Sequence, residues 1–105
     1  MSNFEVILCI INAGFSEDAM DTARMLGARG GTVINARGTA SKEAEKIFNI
    51  TIQPEKEIVM ILVATDIKDK MLKALYDAVG MDTPAQGIAF SLPVDSVAGI
   101  GNTKK

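Results

Sequence analysis

Histidine is absent from this 105-residue chain, and cysteine and tyrosine occur once each. Without histidine the chain lacks the commonest general base and the commonest transition-metal ligand. A lone cysteine excludes a disulfide framework and a thiol-rich metal cage. Cys9 lies inside an apolar run, so it reads as a small hydrophobe rather than a nucleophile. No apolar run approaches the ~20 residues that cross a bilayer. The first residues lack the basic start and cleavage site of a signal peptide. A cytoplasmic protein with no direct membrane insertion is therefore expected. The net charge of −2 lacks the dense basic face of a nucleic-acid module.

What the chain does contain is 48% hydrophobic residues, enough for the core of one domain over 1–105. Phe4 to Ile11 is apolar and β-branched, which predicts a strand. Ser16 stands where a helix N-cap belongs, with Glu17 and Asp18 complementing the first turn. Ala19, Met20, Ala23 and Leu26 then recur at helical spacing, and Gly27 or Gly30 stops that helix. Thr32 to Ala36 is a second strand. Ser41 to Lys46 has helical propensity or forms only a turn. Ile47 to Ile52 alternates as a short strand, and Pro54-Glu55-Lys56 punctuates it. Glu57 to Ala64 carries the clearest strand pattern. Asp66 is expected to cap a second helix bearing Ile67, Met71, Leu75 and Val79, ended by Gly80. After a loop at Met81 to Gln86, Gly87 to Leu92 is the last strand, and 95–105 is expected to be a flexible tail.

The order β-α-β-β-α-β is the split βαβ arrangement. It predicts an α+β, ferredoxin-like fold with a four-stranded antiparallel sheet and two helices on one face. The other face should alternate toward polar residues if it met water. Val6 to Ile11 and Ile58 to Val63 instead are apolar at every position, so both faces of these strands carry apolar side chains. Leaving them wet would create a patch that soluble monomers avoid, so an oligomer is expected. The alternative is cover by the 40–56 segment or by the tail, which are too polar or too short.

The stretch Gly30-Gly31-Thr32-Val33-Ile34-Asn35-Ala36-Arg37-Gly38-Thr39 combines a strand with glycines at both ends and an arginine beside a hydroxyl. Glycine permits close backbone approach. Gly30-Gly31 serves either as a helix stop with a turn or as a ligand contact. Arg37 reads equally as an anion clamp or as a solvated strand end. Glu43, Glu45, Lys46, Glu55, Lys56 and Glu57 read as a solvated face. Ser41 and Thr39 lack an activating partner, so a non-enzymatic protein is expected.

This pattern resembles the P-II signal-transduction family, in its divergent P-II-like branch. The resemblance rests on Gly30-Gly31-Thr32-Val33 with Arg37-Gly38, on Glu57–Ala64 followed by a helix, and on Gly87-Ile88-Ala89-Phe90. It implies a regulatory homotrimer that binds a small effector, with an adenine nucleotide as the class to test first, in clefts between subunits. It also implies docking on a membrane transporter or metabolic enzyme. The ligand-binding positions it implies are Gly31, Thr32, Arg37, Gly38, Thr39, Gln86, Gly87 and Ile88. Those for partner docking are Thr39, Ser41, Lys42 and Glu43, and no metal site is implied. The chain departs from the family at Ile88, where a phosphate-loop lysine belongs, and at Gly99 and Gly101, where basic residues belong. Its docking loop is short and without tyrosine. Each lost charged contact costs a triphosphate about 1.5–3 kcal/mol, which favours a less charged ligand. The alternatives are a CutA-like metal-binding trimer, opposed by the lack of soft ligands, and a structural adaptor without ligand.

Overall fold

The structure, a computed structural model, describes residues 3–39, 42–48 and 54–99. The elements run β1 (Phe4–Asn12), α1 (Ser16–Met25), β2 (Thr32–Arg37), α2 (Lys42–Phe48), β3 (Glu55–Ala64), a 3₁₀ turn (Thr65–Ile67), α3 (Lys68–Val79) and β4 (Ile88–Pro93). The sheet has the order β2-β3-β1-β4, and every neighbouring pair is antiparallel. The two long apolar strands thus take the centre, where both of their edges are hydrogen-bonded. This is the ferredoxin-like α+β fold expected from the residue pattern.

Period two sorts the strands into two faces. Ile7, Cys9 and Ile11 of β1 and Val59, Ile61 and Val63 of β3 point toward the helices and are buried. Ala19, Met20 and Ala23 of α1 and Met71, Leu75 and Val79 of α3 complete this core. Burial pushes the Cys9 thiol up to about 11, so it behaves as the apolar side chain its position implies. The opposite face carries Val6, Leu8 and Ile10, in register with Leu62, Met60 and Ile58 on β3. Leu92, Phe90 and Ile88 of β4 extend the row on the other side. α1 and α3 pack on the opposite side of the sheet and give this apolar face no cover.

The turn after α1 explains one glycine. Gly27 has φ +102°, its N–H bonds to the Arg24 carbonyl, and the Ala28 N–H reaches the Ala23 carbonyl. This Schellman closure requires a left-handed residue, so Gly27 rather than Gly30 is the stop.

Several expectations need correction. Ser16 is the first residue of α1 rather than its cap. Phe15 occupies the cap position, without a side-chain bond. Asp66 lies inside the 3₁₀ turn, and α3 begins at Lys68 with no side-chain cap. The turn is instead held by the Thr65 N–H bonding to the Asn3 carbonyl. Of the expected strand Ile47 to Ile52, Ile47 and Phe48 end helix α2, and the rest lies outside the described residues. Helical spacing across Lys42–Phe48 won over the short alternation. Glu55 and Lys56, expected to punctuate the chain after that strand, instead open β3.

Candidate functional site

The predicted ligand residues separate to the two ends of β2 and to the entry of β4. β2 and β4 are opposite edges of the sheet, two strands apart. Thr32 and Gly31 lie at the lower end, beside a groove of about 680 Å³ also lined by Val6, Met60, Leu62 and Val97. Gly31 has a structural reason to be glycine. A Cβ there would stand 2.9 Å from Met20 Sδ and 3.0 Å from the Met60 carbonyl oxygen, so the chain passes close under α1.

Arg37, Gly38 and Thr39 leave β2 at the upper end, where β1 ends and β4 begins. Arg37 is exposed and in register with Glu55. By alternation its side chain joins Val33 and Asn35 on the helix side of the sheet. Gly38 donates its N–H to the Pro54 carbonyl at 2.6 Å. Thr39 and Glu43 are exposed. Lys42 starts α2, and Ser41 lies outside the described residues.

Gln86, Gly87 and Ile88 follow the loop after α3. Gly87 is buried, and its N–H bonds to the Val79 carbonyl at 2.8 Å. A Cβ at Gly87 would collide with that carbonyl and with Ile11. Its role is close passage of β4 past the end of α3. Ile88 is 57% exposed on the open face, where it offers no charge. Gln86 adopts φ +48°, a strained conformation for a side-chain-bearing residue.

Two residues missed in the sequence connect these parts. Asn12 ends β1 and is 5% exposed. Its Nδ2 donates to the Pro84 carbonyl at 3.0 Å and to Gln86 Oε1 at 3.4 Å. Its backbone N–H reaches the Ala85 carbonyl at 2.9 Å. Lys56, directly opposite in register, donates Nζ to Asn12 Oδ1 at 2.6 Å. The Lys56 stem also runs beneath Gly38, where a Cβ would stand 2.9 Å from Cε. A row Gly38–Lys56–Asn12–Gln86 therefore crosses the upper rim of the open face.

Lys56 was read as part of a solvated run with Glu55 and Glu57. Its half-burial corrects that, and the signal was available. In a strand, successive residues of Glu55-Lys56-Glu57 face opposite sides. Lys56 turns to the open face, while Glu57 turns away and accepts the Gly14 N–H at 3.1 Å. Asn12, a polar residue closing an apolar strand, carried a similar signal.

The row holds one cation on a neutral acceptor. An ammonium has three donors, and among the described residues one is committed, to Asn12 Oδ1. Among those residues no carboxylate pairs with it, so an anion arriving there would break no ion pair. Among the described residues, no group of three His, Cys, Asp or Glu side chains is placed to hold a metal ion. No described helix is long and apolar enough to cross a membrane.

No protein-family sequence model and no curated protein matches this chain. Solved structures do. The PII protein of Arabidopsis thaliana bound to citrate is similar at TM-score 0.72 and 19% identity, covering 99% of this chain and 86% of that one. A DUF3240 family protein from Shewanella baltica is similar at 0.70 and 15% identity, with 95% and 99% covered. A functionally unknown protein from Pediococcus pentosaceus reaches 0.67 and 13% identity, with 94% and 99% covered. At these identities the likeness is one of fold, and the chain has the ferredoxin-like fold seen in the PII structure.

Proposed function

We propose that this chain is a P-II-like regulatory protein. It acts as a homotrimer that holds a small anionic effector between copies and regulates a transporter or enzyme through the segment 38–56. The observation that carries this reading is the uncovered apolar face of the sheet. Ile34, Leu62, Ile88, Phe90 and Leu92 are each at least 38% exposed there in a single chain, and such a patch calls for a partner surface.

The split of the predicted site supports the placement between copies. Thr32 and Arg37 are the two ends of a six-residue strand, roughly 16 Å apart at about 3.3 Å per residue. A small effector meets both ends most directly when neighbouring copies bring opposite ends together. The charge at the upper rim selects the ligand. Lys56 supplies one cation on the open face, Arg37, on the other face of its own chain, can add a second only from a neighbouring copy, and Ile88 supplies none. One or two negative charges match that provision, and a triphosphate does not. A carboxylate metabolite or a nucleotide with a single phosphate is the effector class. Citrate, bound to the similar Arabidopsis protein, is the first probe for its compact carboxylates, and its third charge, which Lys56 does not match, makes 2-oxoglutarate the better-matched comparison.

Ligand binding would order the 38–56 segment, a population shift rather than chemistry. Native mass spectrometry and a thermal-shift panel test this reading. The panel contains ATP, ADP, AMP, cyclic AMP, 2-oxoglutarate and citrate. A ligand at 100 times its Kd adds about 2.7 kcal/mol per site. A trimer stabilised by AMP, cyclic AMP or a carboxylate more than by ATP is the expected result. A monomer indifferent to the whole panel would refute it.

A further inference from the structure

Asn12 occupies a crossing of three segments. Its side chain bonds Lys56 on β3 and both Pro84 and Gln86 in the loop before β4, and its backbone bonds Ala85. A residue that is 5% exposed and polar is costly unless every such bond is made. Through Lys56 it also reaches Gly38, because the lysine stem lies against that glycine. Gly38 in turn is hydrogen-bonded to Pro54, so both ends of the 38–54 segment meet at the same lysine.

We propose that Asn12 is the positioning residue of the effector site. It holds the Lys56 ammonium and Gln86 in one row, so that an anion bound at Lys56 is transmitted to the 81–87 loop and to the segment leaving β2. The inference rests on the reading of Lys56 as the effector's cation. Asn12 Oδ1 takes one Nζ donor and leaves two for the anion. Its Nδ2 simultaneously fixes the loop that carries the strained Gln86. Anchoring the ammonium tightens the whole row, and the two segments lose mobility together. If Asn12 merely satisfied the Pro84 carbonyl, its removal would lower stability and leave anion affinity untouched.

Citrate binding to the full chain, measured by calorimetry, tests this in a double-mutant cycle of Asn12→Ala and Lys56→Met. Lys56→Met should weaken citrate roughly 10–100-fold, the value of a charged hydrogen bond. Asn12→Ala should weaken it severalfold when Lys56 is present and not at all in the Lys56→Met background. Hydrogen exchange supplies the second readout. Citrate should protect 38–48 and 81–87 together in the wild type, and only 38–48 in Asn12→Ala. Should Asn12→Ala fail to fold, Asn12→Ser, which keeps a small polar group and adds no charge, makes the same comparison. It must then lower citrate affinity severalfold with Lys56 present, and leave the affinity of the Lys56→Met protein unchanged. Equal effects in both backgrounds, or joint protection surviving in the Asn12 variant, overturn the role of Asn12 while the effector reading stands. A wild type that binds neither citrate, 2-oxoglutarate nor phosphate overturns both.

Discussion

Replacing Leu8 by lysine tests the assembly at its centre. Leu8 lies mid-strand in β1, opposite Met60 on one side and Phe90 on the other. On the same face Ile34, Leu62, Ile88, Phe90 and Leu92 are 38–57% exposed. At about 1.5–3 kcal/mol for a fully buried side chain, covering these five returns roughly 3–7 kcal/mol per copy. In an isolated chain a lysine at position 8 turns its ammonium to water along its own stem, at a cost of about 1–2 kcal/mol. In an assembly built on this face the same ammonium is enclosed in every copy. The desolvation penalty is then several kcal/mol per ion, with no carboxylate on the face to offset it. Sedimentation at micromolar concentration should find a trimer for the wild type and a folded monomer for Leu8→Lys, with unchanged far-ultraviolet circular dichroism. A Leu8→Lys trimer as tight as the wild type, or a wild-type monomer, would refute the argument.

Two further outcomes follow from the interior. The Cys9 thiol is raised from 9.0 to about 11 by burial, so the unfolded chain ionises first. The thiol's contribution is intact below pH 9 and falls by about 2–3 kcal/mol on going to pH 11. Denaturant titrations across that window should lose correspondingly less stability in Cys9→Ala, and an identical slope in both proteins would contradict the assignment. Gly87→Ala drives a Cβ into the Val79 carbonyl and Ile11. The expected loss is about 1–3 kcal/mol, read as a lower urea midpoint. A variant as stable as the wild type would mean that β4 can shift away from α3.

The fold was legible because its two central strands and two long helices obey simple periods. Ile7, Cys9 and Ile11 alternate with Val6, Leu8 and Ile10, and both sets are apolar. That double pattern announced a central strand with two faces to cover. Met71, Leu75 and Val79 at steps of four announced the buried stripe of α3. Boundaries were less legible because they depend on contacts made elsewhere in the chain. Ser16 and Asp66 have the chemistry of caps. Yet the first helical bond of α1 already runs from the Ala19 N–H to the Phe15 carbonyl, and the 3₁₀ turn is held by the Thr65 N–H on the distant Asn3 carbonyl. That second partner could not be assigned from local propensity. The segment 40–56 carries competing helix and strand signals in a few residues, and Lys42–Phe48 resolves as a helix.

The site was harder to read for a different reason. The residues that resemble a binding motif are spread over the two ends of β2 and the entry of β4, and two of its glycines have packing roles. Gly31 passes beneath Met20, and Gly87 passes beside Val79. A glycine required by close approach looks the same in a sequence as one required by a ligand. The cation is hard to see in the sequence because Glu55-Lys56-Glu57 looks like a uniform charged run. Its strand geometry makes it two surfaces, with Lys56 alone facing Asn12. Position 88 lacks the lysine that the resemblance leads one to expect, and the half-buried ammonium of Lys56 stands across Asn12 from Gln86. A charge on a central strand, held by a buried amide, is constrained far more than one at the tip of a loop. It would reach a ligand only over a narrow range of positions. On the proposed reading, that geometry favours a compact anion that presents one group to the ammonium over a long polyphosphate that needs cations along its length.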